Sequence, residues 1–172
     1  MWCMAEAVGS PMMDGGFAAG LAEIDRRLAE RAREPAPDGL TEPDADSGER
    51  WEALQVWGHM AEFVAYWQEQ IESVIAAYDG ERVPFGRTKQ DPARLAAVEM
   101  GRSAPVAELI GRTQESLREA RRYLSGLGLA EWNAVGRHPT VGDMDVDAMV
   151  ARFILAHMEE HLDALDALDQ AS

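Results

Sequence analysis

The sequence holds a single cysteine, Cys3, among 172 residues. A lone thiol cannot close an internal disulfide, which excludes a disulfide-stapled scaffold and agrees with a reducing compartment. Basic residues are scarce too, with 16 Lys and Arg against 31 Asp and Glu and a net charge of −15. Nucleic-acid phosphates and anionic lipid surfaces both require basic faces, so this balance argues against either partner. The arginines at 112, 118, 121 and 122 read as a solvated helix face rather than a phosphate-binding patch. No apolar run approaches the roughly 20 residues of a membrane span. The opening residues MWCMAEAVGSPMM have neither the basic start nor the apolar block of a signal peptide. The expectation is a cytoplasmic protein. Also missing are a Gly-rich phosphate loop, a GxSxG nucleophile elbow and a well-placed nucleophilic cysteine.

What is present is helical periodicity. Residues 1–13 read as an irregular N-terminus, with Gly9, Ser10 and Pro11 as breakers. Asp14 is placed to cap a first helix, along which Phe17, Leu21, Ile24 and Leu28 recur on one side. Residues 34–48 are rich in Pro, Gly and acidic side chains and read as a loop. A second helix is predicted from about Glu49 to Tyr78, opened by an Asp46/Glu49 capping box and closed by Gly80. Asp91-Pro92 predicts a short helix over Pro92–Met100. Another spans about Ala104–Ser125, with Val106, Leu109, Ile110, Thr113, Leu117, Ala120 and Leu124 in its stripe. After a connector over 126–142, Asp143 or Asp145 caps a last helix running to about Asp169. No segment shows the alternation of a strand. Four long amphipathic helices without a sheet predict an all-α four-helix bundle over residues 14–170.

The chemistry lies in the histidines, of which there are four. His157 and His161 are four residues apart in AMVARFILAHMEEHLDALDAL. On an uninterrupted helix they share a stripe with Val150, Phe153, Ile154, Leu165 and Leu168. Two imidazoles so spaced reach one metal ion, although each could equally be a buried residue hydrogen-bonded to a neighbour. His59, on the second helix, completes a candidate three-ligand set with open positions, a catalytic rather than a structural type of site. His138, before Pro139, reads as exposed or as a loop anchor. Met158 follows the first histidine where zinc proteases have Glu, and Val56, Ile154 and Met158 stand where di-iron bundles place theirs. Glu160 is a weak candidate for a base or for an acceptor of an imidazole N–H. Glu62 and Tyr66 share the side of His59 and read as rim residues. Trp57, Phe63, Tyr66 and Phe153 are candidates to line a route between the second and last helices.

Two stretches carry a family resemblance. ERWEALQVWGHMAEFVAYW follows a Pro/Gly-rich loop with a Trp and then a helix bearing His-Met and aromatics. EWNAVGRHPTVGDMDVDAM leads through a Trp, a His-Pro and a Gly into the helix containing AHMEEH. Together, over roughly residues 17–170, the pattern resembles the DinB-like superfamily. The resemblance implies a four-helix bundle, often a homodimer, with His59, His157 and His161 holding a divalent metal such as zinc or nickel. Among its known activities are mycothiol-dependent maleylpyruvate isomerase and the mycothiol or bacillithiol S-transferases. It therefore implies a small-molecule substrate and a low-molecular-weight thiol as co-substrate. Two further readings stand beside this one: a non-catalytic metal- or ligand-binding bundle, and a metal-dependent hydrolase with Glu160 as base.

Overall fold

The computed structural model of the protein describes residues 15–171. The irregular reading of residues 1–13, the Asp14 cap and Cys3 lie outside the described residues. The bundle is built by α1 (Phe17–Arg31), α2 (Ala53–Ala77), α4 (Val106–Leu124) and a long final helix. Two shorter helices, α3 (Pro92–Gly101) and α5 (Leu129–Trp132), sit in the connections. Among the described residues, no helix is long and apolar enough to cross a membrane.

Helices α1 and α4 match their sequence patterns closely. Phe17, Leu21, Ile24 and Leu28 are buried on α1, and on α4 the predicted stripe is buried from Leu109 to Leu124, while Val106 at its start is only half-buried. Each buries one stripe of mostly apolar side chains, as an amphipathic helix at a bundle surface does; α1 also buries Arg31, which donates to Asp166 Oδ1 at 2.9 Å and to the Leu165 carbonyl at 3.0 Å. α2 differs. Its first half, from Ala53 to Val64, is buried almost all round, because α3, α4 and the last helix all pack against α2. The helix also starts later than expected. Asp46 is not its cap: it pairs with Lys89 at 3.0 Å, while the Glu52 backbone N–H donates to Gln55 Oε1 at 3.0 Å and closes the first turn.

The packing of α3 on α2 depends on two glycines. A Cβ on Gly58 would lie 2.7 Å from Gly101 Cα, and one on Gly101 would lie 2.4 Å from the Leu54 carbonyl oxygen. These neighbours are backbone and cannot rotate away. Gly101→Ala is therefore expected to force the helices apart and cost about 2 kcal/mol, within the range for overpacking. A urea titration checks this; an unchanged midpoint would show that α3 is free to shift.

The last helix is not a continuous α-helix. Asp145 caps it, accepting from Ala148 N–H at 2.9 Å. The first turn, α6 (Val146–Met149), leads into a π-helical stretch, Val150–Ala156, before α7 (His157–Ala171). A π turn adds a residue to the ladder and rotates the succeeding turns by about 100° relative to a straight α-helix. Leu155, Met158 and Leu162 accordingly join the core, although the uninterrupted stripe leaves them out.

A small sheet is a second departure from the all-helical reading. β1 (Val83–Pro84) pairs in parallel with β2 (Val135–His138), which pairs antiparallel with β3 (Gly142–Asp145). Strands of two to four residues are too short to show alternation. They form because the bundle brings two loops together. Gly136 permits this approach: a Cβ there would lie 2.5 Å from Phe85. The sheet packs beside α2, and buried Phe85 belongs to the main core.

Candidate metal centre

His59 comes from the buried half of α2 and is 2% exposed. His157 and His161 come from the first turns of α7, immediately after the π stretch. One ligand nitrogen from each of the three lies within 4.8 Å of the others. His59 Nε2 is 3.3 Å from His157 Nε2, and the ring centroids of His59 and His161 are 5.0 Å apart. The structure thus brings His59 to the His157 and His161 pair, about a hundred residues further along the chain.

Aromatic rings wall the group. Phe63 stacks on His157 with centroids 4.3 Å apart. Trp51 meets His59 edge-on at 5.2 Å and stacks on His161 at 5.8 Å. Trp51 lies in the loop before α2, where no periodicity marks it as a site residue. It is held by its backbone N–H, which donates to Thr41 Oγ1 at 2.9 Å. Arg94 of α3 lies over its ring at 5.1 Å and pairs with Glu49 at 3.3 Å.

Burial disfavours the charged form of all three imidazoles. His59 and His161 are pushed well below the usual histidine range, by burial first and then by neighbouring histidines and Arg94. His157 is lowered to about 4 by burial and by Arg94, Arg87 and Lys89. At neutral pH the three rings are uncharged and carry lone pairs, the form in which histidine binds metal. His161 Nε2 and His59 Nδ1 are buried without a hydrogen-bond partner. Orphaned buried nitrogens in such a cluster call for explanation, and an ion shared by the rings fits the donor set.

The remaining candidates fall elsewhere. Glu160 is exposed. The carboxylate directed at an imidazole is Glu62, whose Oε2 lies 3.9 Å from His59 Nδ1. His138 is not exposed; it anchors the β2–β3 turn, its Nδ1 accepting from Thr140 and Val141 N–H at 3.3 and 3.3 Å. It sits among Trp67, Phe85 and Phe153, and burial lowers its pKa. Trp57 and Phe153 are core residues, Phe153 stacking on Trp67 at 4.1 Å. Tyr66 lies under the Arg87 guanidinium at 3.8 Å.

The fold and the site together are those of a helical bundle that gathers three uncharged imidazoles from its second and last long helices. The DinB superfamily profile matches residues 21–165, and the chain belongs to that superfamily. Among solved structures it is similar to YfiT from Bacillus subtilis, described as "a probable metal-dependent hydrolase with an unusual four-helix bundle topology". The two share 16% identity and a TM-score of 0.72 over 99% of this chain and 93% of that one, a likeness of fold. No curated protein matches the chain.

Proposed function

We propose that this protein is a divalent-metal-dependent enzyme that joins a low-molecular-weight thiol to a small electrophile, or isomerises a substrate through such a thiol. His59, His157 and His161 are its ligands, and zinc or nickel its ion. The observation that supports this is the convergence of three uncharged imidazoles, that of His59 buried and those of His157 and His161 half-buried, within 4.8 Å. A bound divalent ion supplies Lewis acidity, lowering the pKa of a thiol or water that reaches it. The chain's own part is to hold the imidazoles neutral and to shield them with Trp51 and Phe63. The rings on either side favour a substrate with a flat or apolar portion.

A thiol suits the surroundings better than water does. A free thiol ionises near pH 8.5, so it needs far less help than water to become a nucleophile. Glu62 has both oxygens engaged by Arg87, each at 2.6 Å, which ties it to the arginine. Glu160 is exposed. Hydrolysis is the second reading, favoured by the description of YfiT as a metal-dependent hydrolase. A homodimer in the cytoplasm, with neither nucleic acid nor membrane as partner, completes the proposal.

The test is a screen of metal-replete protein against model electrophiles with and without mycothiol or bacillithiol. Turnover only with thiol is the expected result. Hydrolysis without thiol would move the assignment to the second reading. A protein that binds an ion, melts much lower without it and turns over nothing would be a structural metal bundle.

A further inference from the structure

Glu62 comes three residues after His59 on α2, which places the two side chains on one face of the helix. At 3.9 Å, Glu62 Oε2 is too far from His59 Nδ1 for a hydrogen bond. That nitrogen is nevertheless buried and without a partner. The other ring nitrogen, Nε2, is 3.3 Å from His157 Nε2, so it is the one turned towards the other imidazoles. A neutral imidazole has one N–H and one lone pair. If the Nε2 lone pair serves the shared centre, Nδ1 carries the proton, and a buried N–H needs an acceptor.

The carboxylate is firmly held. Arg87 donates to both Glu62 oxygens, at 2.6 Å each. The arginine side chain is 8% exposed and lies 3.5 Å from Asp91, with its guanidinium 3.8 Å above the Tyr66 ring. A planar fork stacked on an aromatic ring fixes a carboxylate in direction as well as distance. Glu62 is thereby kept from swinging out to solvent and stays beside the ring. A movement of about 1 Å closes the gap to hydrogen-bond length.

We infer that Glu62, clamped by Arg87, is a positioning residue that accepts the Nδ1–H of His59 and so directs His59 Nε2 at the three-histidine centre. This rests on the reading of that centre as a metal site. Such carboxylate–histidine pairs set the tautomer and the ring orientation of a ligand, and losing one weakens metal binding about 10–100-fold.

The experiment uses cobalt(II), whose affinity is read by chelator competition and whose ligand field is read in the visible spectrum. Glu62→Ala is expected to weaken cobalt binding about 10–100-fold and to alter the spectrum. Glu62→Gln, whose amide oxygen still accepts an N–H, is expected to recover most of the affinity. In metal-free protein, ¹⁵N shifts of the His59 ring should show the proton on Nδ1, a readout that needs no variant to fold. A proton on Nε2 overturns the inference, as does a Glu62→Ala protein that matches wild type in affinity and spectrum. If wild type itself takes up no cobalt, the metal reading fails and this inference with it. If wild type binds and the variant is indistinguishable from it, only the role of Glu62 falls.

Discussion

Replacing His157 with alanine is expected to strip the protein of its ion and of any metal-dependent activity. His157 meets both other ligands, with its Nε2 3.3 Å from His59 Nε2 and its ring centroid 4.7 Å from that of His161. Two imidazoles from different helices remain, and affinity should fall by at least about 100-fold, beyond the loss seen when only a supporting residue is removed. The effect also appears in stability. An ion that binds the folded chain at a thousand times its Kd stabilises it by about 4 kcal/mol, which for a domain of this size is a rise of roughly 10 °C in melting temperature. Wild type should show that rise when zinc or nickel is added to chelator-treated protein, and His157→Ala should not. Metal analysis of the purified variant is the direct check. Full metal content in it would remove His157 from the ligand set.

The second large effect is on the metal-free protein as pH falls. His59, His157 and His161 are all held below the ordinary histidine range, with burial the first cause in each case. In the unfolded chain the same rings titrate near pH 6.5. Below that pH the unfolded chain takes up protons that the folded chain refuses, so stability must fall as pH falls. For His157 the loss begins near pH 6.5 and continues down to its folded value of about 4. At pH 5 this residue alone costs about 2 kcal/mol, or roughly 5 °C of melting temperature. His59 and His161 act in the same direction. The carboxylates of Asp44 and Asp143 are lowered by their cationic partners, so they titrate below this window. Thermal melts of metal-free protein between pH 7.5 and 5 measure the slope, and His157→Gln should flatten it. A melting temperature independent of pH over that range would mean that the rings open to water and accept protons in the folded state.

The helices with one buried stripe were legible in the sequence almost residue by residue. On α1 and α4 a periodicity of 3.6 needs only one packed side, and the buried apolar residues are ones that the spacing names, although Val106 is only half-buried and the charged Arg31 is buried as well. The pair His157 and His161 was visible for the same reason, since four residues make one turn of helix. α2 was less legible because its first half is enclosed on all sides, and an element buried all round loses its polar face. The π stretch before His157 was invisible: VARFILA contains no residue that forbids an α-helix. Its effect is read only in which side chains reach the core. Strand β1 depends on pairing between Val83 and Gly136, segments that no local pattern connects, and β2 and β3 pair over only four residues each.

The surroundings of the histidines divide in the same way. Trp51, Arg94 and Arg87, which clamps Glu62, are parts of this site that no spacing ties to His59 or His161. Trp51 and Arg87 sit in loops and Arg94 on a separate helix, and each reaches the centre across the chain. The sequence alone determined the helical architecture, the acidic surface and the three imidazoles on the second and last helices, because helical spacing and composition are local properties. Only the tertiary structure decided that those imidazoles meet, that they are buried enough to stay uncharged, and that Glu62 rather than Glu160 stands beside them. Distance, desolvation and partner choice arise when remote segments pack together, and no stretch of chain carries them by itself.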